Sequence, residues 1–246
     1  MDLIKVKELI DKSRKITILT GAGISTESGI ADYRSPGGTW EKYKYVTIQE
    51  ISSDLTKRKY YWRYKKETIP AMYNADPNAA HLAISKLDKQ GKLFYLLTQN
   101  IDGLHEKSGV AKERIVNLHG TNLEAICWSC KSIYEINDVL NRLEDCDFDP
   151  RCERPGCNGW LKPNTVSFGQ NLDPNNLRIS EIAAKECDLF MALGSSLVVQ
   201  PVCSYVEVAH HYQKPIIIIN RDPTPYDDLA DYKLGDSLGD VMQEII

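Results

Sequence analysis

The sequence predicts an α/β fold: a doubly wound parallel sheet with a smaller domain made of two insertions. Three observations carry that expectation. The runs Ile16–Thr20, Leu93–Thr98, Leu189–Leu193 and Ile216–Ile219 are short and continuously apolar, the pattern of strands buried on both faces. Helical patterns, including Ala79–Lys89 and residues 202–211, lie between several of them, and such alternation implies a doubly wound parallel sheet whose ligands sit at the strands' C-terminal ends. Two stretches break the alternation. Residues from about 36 to 76 are rich in Tyr, Trp, Lys and Arg and read as helical, and those from about 124 to 160 hold five cysteines and few core-forming residues. The large domain is therefore expected over about 1–35, 77–123 and 161–246, and the small domain over 36–76 and 124–160.

With 246 residues, 42% hydrophobic and 26% charged, the chain has room for one large core or two modest domains. A formal net charge of −4 argues against general affinity for nucleic acid or anionic membrane. The N-terminal residues Met1 to Lys7 interleave charge with apolar side chains, unlike an export signal. The longest aliphatic run, Ile216–Ile219, is far below the roughly 20 residues that span a bilayer. A cytoplasmic monomer is expected, with no membrane or nucleic-acid partner. Thiols stay reduced in that compartment, so the seven cysteines read as metal ligands, buried thiols or catalysts rather than as disulfides.

Their spacing separates these roles. Cys127 and Cys130 form one close pair, and after 21 residues Cys152 and Cys157 form a second. Two cysteine pairs on turns can bring four thiolates to the corners of a tetrahedron, the geometry of a closed, structural zinc site. The second pair is wider than usual, and Cys146 is near enough to substitute for one ligand. A segment so poor in core residues needs such a staple. Cys187 and Cys203 sit among apolar residues and read as inert buried thiols.

Directly after the first strand come Gly21-Ala22-Gly23-Ile24-Ser25-Thr26-Glu27-Ser28-Gly29. Glycines there let the backbone approach a phosphate, and a following helix N-terminus would supply N–H donors. The match to a dinucleotide fingerprint is imperfect, since Thr26 stands at the third glycine and no acidic residue closes a second strand. The turn alone does not separate a phosphate cradle from a plain tight connection. Gly194-Ser195-Ser196 after the third apolar run and Asn220 after the fourth offer further polar groups at the same sheet edge. After the second run come Gln99, Asn100 and Asp102, and further on His119. A histidine at a strand end beside a glycine is placed to act as a general base, although an isolated one is as readily structural. His105, on an expected helix after Gly103, reads as structural, and His81, His210 and His211 as packed or solvated.

Taken together, these residues resemble the sirtuins, NAD-dependent protein deacylases, and among them the bacterial and archaeal members. The matching elements are Gly21-Ala22-Gly23-Ile24-Ser25, Ser28-Gly29-Ile30, Asp32-Tyr33-Arg34, the run from Thr98 to His105, Leu118-His119-Gly120, the cysteine pairs, the run from Lys162 to Gln170, and Gly194-Ser195-Ser196-Leu197. They follow the family's order over nearly the whole chain. The resemblance implies a Rossmann-like large domain, NAD in the cleft as a consumed co-substrate, one structural zinc ion, and an acetyl-lysine protein or peptide entering between the domains. It implies catalytic roles for His119, Asn100 and Asp102, with His119 deprotonating a ribose hydroxyl. It places Gly21, Ala22, Gly23, Thr26, Tyr33, Arg34, Gln99, Ile101, Gly194, Ser195, Ser196, Asn220 and Leu238 with Asn100, Asp102 and His119 around the cofactor. It places Val166, Phe168 and Val199 along an acyl-lysine tunnel.

The chain departs from the family pattern at Ala31 and Tyr33, where a Pro and a Phe are usual, at Gln170, where a Glu is usual, and in the stretched second cysteine pair. Counting back from Asp76-Pro77-Asn78, the places where succinyl-preferring sirtuins carry a Tyr and an Arg hold Trp62 and Lys65, which favours acetyl over acidic acyl groups. The alternatives are ADP-ribose transfer to protein from the same site, a preference for longer or acidic acyl groups, and a non-catalytic zinc-ribbon module.

Overall fold

In the computed structural model, which describes residues 2–144 and 148–246, the strands are β1 (Ile16–Thr20), β2 (Leu93–Thr98), β3 (Ile115–Asn117), β4 (Gly120–Cys127), β5 (Ile133–Glu135), β6 (Leu161–Thr165), β7 (Leu189–Leu193), β8 (Ile216–Ile219) and β9 (Tyr232–Leu234). The helices are α1 (Asp2–Lys12), α2 (Thr39–Lys42), α3 (Ile48–Ser53), α4 (Leu55–Asn74), α5 (Ala79–Lys89), α6 (Leu104–Lys107), α7 (Ile136–Glu144), α8 (Pro174–Glu186), α9 (Ser204–His211) and α10 (Leu238–Ile245). β1, β2, β7 and β8 are the four apolar runs with the bounds their patterning predicts. The edge strands β3 and β9 are three residues each, too short to show a pattern.

These six strands pair in parallel in the order β3-β2-β1-β7-β8-β9. Their unbroken hydrophobicity follows from cover on both faces. Ile16, Ile18, Met191 and Ile217 pack with Val6 of α1, Ile84 of α5 and Met242 of α10. The alternate residues Leu19, Phe190, Ala192 and Ile218 pack with Ala183 and Ala184 of α8 and Val206 of α9.

From β1 the chain moves outward to β2 and β3, then returns to β1's other side to begin β7, so the winding direction reverses between β1 and β7. A crevice opens at such a reversal. The turns leaving the two strands are in contact. Gly21 N–H donates to the Leu193 carbonyl at 3.1 Å and Gly23 N–H to the Gly194 carbonyl at 2.8 Å. A Cβ on Gly23 would lie 2.7 Å from the Gly194 carbonyl oxygen, and one on Gly194, whose φ is +58°, would lie 2.4 Å from Ile24 N. Only glycine fits either place.

A second, antiparallel sheet has the order β5-β4-β6. The domain boundary expected at residue 161 thus falls within this sheet, because β6 pairs with β4. The helical insertion supplies the core that the cysteine-rich stretch lacks: Trp62 and Ile69 of α4 pack with Ala125, Cys127, Val139, Leu143 and Leu161. Arg58 and Asp149, both largely buried, add an ion pair at 2.9 Å. Among the described residues, no helix is long and apolar enough to cross a membrane.

Replacing Gly23 by Ala should force the two turns apart and cost about 1–3 kcal/mol, the range for inserting a methyl group into a filled space. Urea unfolding reads this directly, and an unchanged midpoint and slope would mean that the turns separate freely.

Candidate active site

A cleft of about 1480 Å³ opens at the C-terminal ends of β1, β2, β7 and β8. Gly21, Ala22, Gly23 and Thr26 line it after β1, Gln99, Asn100 and Ile101 after β2, Gly194, Ser195 and Ser196 after β7, and Asn220 after β8. Leu238, at the start of α10, closes one end, with Tyr33 and Arg34 on the loop after the glycine turn. Val166, Phe168 and Val199 line it as well, beside His119. The structure thus gathers on one surface every residue expected at the cofactor or acyl chain except Asp102. The helix that follows the glycine turn is a 3₁₀ helix, Ala22–Ser28, ended by Gly29 in the left-handed region. Thr26 Oγ1 donating to the Gly23 carbonyl at 2.9 Å tightens that turn.

His119 stands between β3 and β4, and its Nδ1 lies 3.0 Å from the Gln99 carbonyl oxygen. A carbonyl can only accept, so Nδ1 carries the ring proton and Nε2 keeps a free lone pair. Burial pushes the imidazole pKa below its ordinary value, against a smaller upward pull from the Gln99 hydrogen bond. The ring is therefore neutral and basic at neutral pH. Gln99 Nε2 donates to Ser195 Oγ at 2.9 Å, joining the ends of β2 and β7. His105, by contrast, is 1% exposed on α6 with Nε2 3.0 Å from Thr20 Oγ1, the structural place expected for it.

Asp102 stands behind the cleft wall. Ser25 Oγ donates to its Oδ2 at 2.8 Å, Leu104 N–H donates to its Oδ1 at 2.9 Å, and Asn100 Nδ2 donates to Ser25 Oγ at 3.1 Å. Burial raises the carboxyl pKa, and the donated hydrogen bonds oppose that rise. Asp102 thus acts on the cleft through Ser25, which holds Asn100. Ser25 is buried in the glycine turn and lies 75 residues from Asn100 in the chain, a separation that leaves no local pattern to find. Trp62 is also displaced from expectation. Its indole Nε1 donates to the Leu161 carbonyl at 3.1 Å inside the small core, while Tyr61, Tyr64 and Lys65 face the cleft.

The thiol sulfurs of Cys127, Cys130, Cys152 and Cys157 all lie within 4.8 Å of one another. The Cys127–Cys157 and Cys130–Cys152 separations are 3.6 and 3.5 Å. A sulfur–zinc bond of ~2.3 Å gives a tetrahedron with edges of about 3.8 Å, whereas a disulfide needs ~2.05 Å. Four thiol donors at this spacing fit one zinc ion held by both expected pairs. Tyr134 Oη approaches Cys152 Sγ at 3.0 Å and Ser132 Oγ approaches Cys130 Sγ at 3.1 Å, a polar surround for thiolates. Cys146, the substitute ligand, lies outside the described residues. Cys187 and Cys203 are buried, as inert thiols would be.

Sheet, reversal and polar cleft together define a nucleotide-binding α/β protein with a four-thiolate module. The Sir2 family model matches residues 21–201. The chain is 40% identical over 242 residues to an NAD-dependent protein deacetylase of Thermodesulfovibrio yellowstonii, covering 98% of this chain and 93% of that protein. It is 38% identical to NAD-dependent protein deacetylase 2 of Streptomyces coelicolor, covering 94% and 96%. A solved Sir2 structure with deacetylated p53 peptide and 3'-O-acetyl ADP ribose superposes with a TM-score of 0.92 at 34% identity, covering 100% of this chain and 97% of that one. Another, of Sir2 with p53 peptide and NAD+, gives 0.90 at 33%, with the same coverage. The chain belongs to the Sir2 family, the sirtuins.

Metal analysis of the purified protein should return one zinc per chain, and removing it with a strong chelator should lower the melting temperature by several degrees, since each ~1 kcal/mol lost shifts a chain this size by roughly 2–4 °C. A metal-free protein with an unchanged melting temperature would contradict a structural zinc.

Proposed function

We propose that this sirtuin is an NAD-dependent protein lysine deacetylase in which His119 is the general base. The observation that carries the reading is the His119 Nδ1 contact to the Gln99 carbonyl, which leaves a neutral imidazole with an unprotonated Nε2 in the cleft. The names of the relatives and the contents of the solved Sir2 complexes support the same activity. NAD, when bound, supplies the ribose to which the acyl group passes and from which nicotinamide leaves. The residues at the four strand ends suit it: the backbone and hydroxyls of Gly194-Ser195-Ser196 and the glycine turn for phosphates, and Gln99, Asn100 and Asn220 for ribose and carboxamide.

His119 takes the proton of a ribose hydroxyl, making that oxygen the nucleophile toward the acyl carbon. Asn100, held by Ser25 and Asp102, orients the nicotinamide half. Val166, Phe168 and Val199 form the tunnel for the acyl-lysine. Apolar walls favour the neutral amide over the charged amine of the product, whose desolvation is costly, so the same walls favour product release. The acyl oxygen of the substrate would replace nicotinamide on the ribose carbon, and one water would be consumed in releasing the lysine, so the products are nicotinamide, O-acetyl-ADP-ribose and the free lysine. We take β4, β5, β6, α4 and α7 with the thiolate cluster as the small domain and the six-stranded sheet with its helices as the large one. The cytoplasmic location expected from the sequence belongs to the same proposal.

The decisive assay incubates the protein with NAD and an acetyl-lysine peptide and follows nicotinamide and O-acetyl-ADP-ribose. Release should depend on the acetyl group, and His119→Ala should lower the rate by roughly 10²–10⁴, the usual contribution of a positioned base. ADP-ribose appearing on protein without an acyl substrate would point to a transferase. The base works unprotonated and its pKa is depressed, so the rate should be flat near pH 7 and fall on acidification with a midpoint below 6.5. A midpoint above that value would exclude a desolvated His119 as the base.

A further inference from the structure

Trp40, in the first turn of α2, lines the cleft and has no role in the chemistry above. Its ring centroid lies 5.4 Å from that of Tyr33 and 5.8 Å from that of Phe168, and the Arg34 guanidinium carbon lies 4.6 Å from it. Tyr45 closes the group, 6.4 Å from Trp40 and 4.6 Å from Phe168. The backbone repeats the connection. Trp40 N–H donates to the Tyr33 carbonyl at 3.1 Å, and Ile48 N–H, eight residues on, donates to the Phe168 carbonyl at 2.9 Å. One indole therefore touches the loop that takes the nucleotide and the loop that takes the acyl chain.

The outer rings are open to solvent, Tyr45 61% exposed and Phe168 46% exposed, so they rest on contacts with their aromatic neighbours more than on a hydrophobic core. Aromatic pairs hold preferred tilted arrangements, and moving one ring costs its neighbour a contact. A ligand that fixes Tyr33 and Arg34 fixes Trp40 with them, and so restricts where Phe168 can stand.

We propose that Trp40 is a positioning residue through which nucleotide and acyl-lysine tighten each other's binding, by way of the Tyr33–Trp40–Phe168 contacts. The proposal rests on the assignment of the two loops made under Proposed function. Linkage makes the effect reciprocal: the factor by which nucleotide strengthens peptide binding equals the factor by which peptide strengthens nucleotide binding.

The test is calorimetric titration of an acetyl-lysine peptide into the full chain, with and without saturating ADP-ribose, which occupies the nucleotide site without reacting. In the wild type, ADP-ribose should tighten peptide binding by on the order of fivefold or more. Trp40→Ala should bring that ratio near unity, and Trp40→Phe, which keeps a ring, should restore most of it. A purely structural tryptophan would weaken both affinities and leave the ratio unchanged, and that result, or a ratio near unity in the wild type, overturns the proposal. Should Trp40→Ala fail to fold, Trp40→Leu is compared with Trp40→Phe, and equal ratios in the two overturn it. If the wild type binds neither ligand, the loop assignment fails first and the proposal falls with it.

Discussion

The contact between the turns that leave β1 and β7 sets the position of almost everything in the cleft. Gly23 and Gly194 share a hydrogen bond with no room for a side chain on either residue. That approach brings the glycine turn against Gly194-Ser195-Ser196 at the reversal of the sheet. The Gln99–Ser195 hydrogen bond then ties in β2, and the Gln99 carbonyl orients His119. The imidazole is thus placed through a short chain of backbone-anchored contacts. A loosened turn would reach the imidazole within two or three bonds of that chain.

The same economy appears in the buried polar groups behind the wall. A carboxylate facing an apolar, acyl-binding surface would be costly to desolvate and would raise the basicity of any nearby imidazole. Asp102 is instead withdrawn and hydrogen-bonded by Ser25 and the Leu104 amide. Its influence reaches the cleft as the orientation of Asn100, not as a bare charge beside His119. The depressed pKa of His119 is consistent with that separation, because burial dominates it.

How much of this was legible in the sequence follows from the range of the forces involved. β1, β2, β7 and β8 were readable because cover on both faces leaves an unbroken apolar run, and α5 because its period is local. The existence of the thiolate cluster was readable because the cysteines fall in two close pairs, while Cys146 lay near enough to leave its membership open. Several features were not. β3 and β9 are too short to carry a period. Ser25 acquires its role from partners 75 and 77 residues away. Of the two α4 residues singled out, Lys65 lines the cleft, whereas the turn of Trp62 into the small core depends on packing that no local pattern shows. The cysteine-rich stretch looked poor in core, because nothing local reveals that the aromatic helix completes it.

That last point explains how a closed metal site can matter to a reaction it does not touch. Neighbouring residues of α4 face opposite ways. Trp62 and Ile69 enter the core around Cys127, while Tyr61 reaches Thr165 at 3.5 Å and Lys65 reaches Asn122 at 3.2 Å on the cleft side. Arg58, one turn earlier, is anchored to Asp149. The helix is therefore a wall whose outer face is held by the thiolate module and whose inner face lines the cleft through Tyr61, Tyr64 and Lys65. Four-coordinate zinc has no open position for chemistry. Its effect on the cleft passes through the elements it holds, α4 and the β4–β6 pair, and so it should appear first as altered peptide affinity.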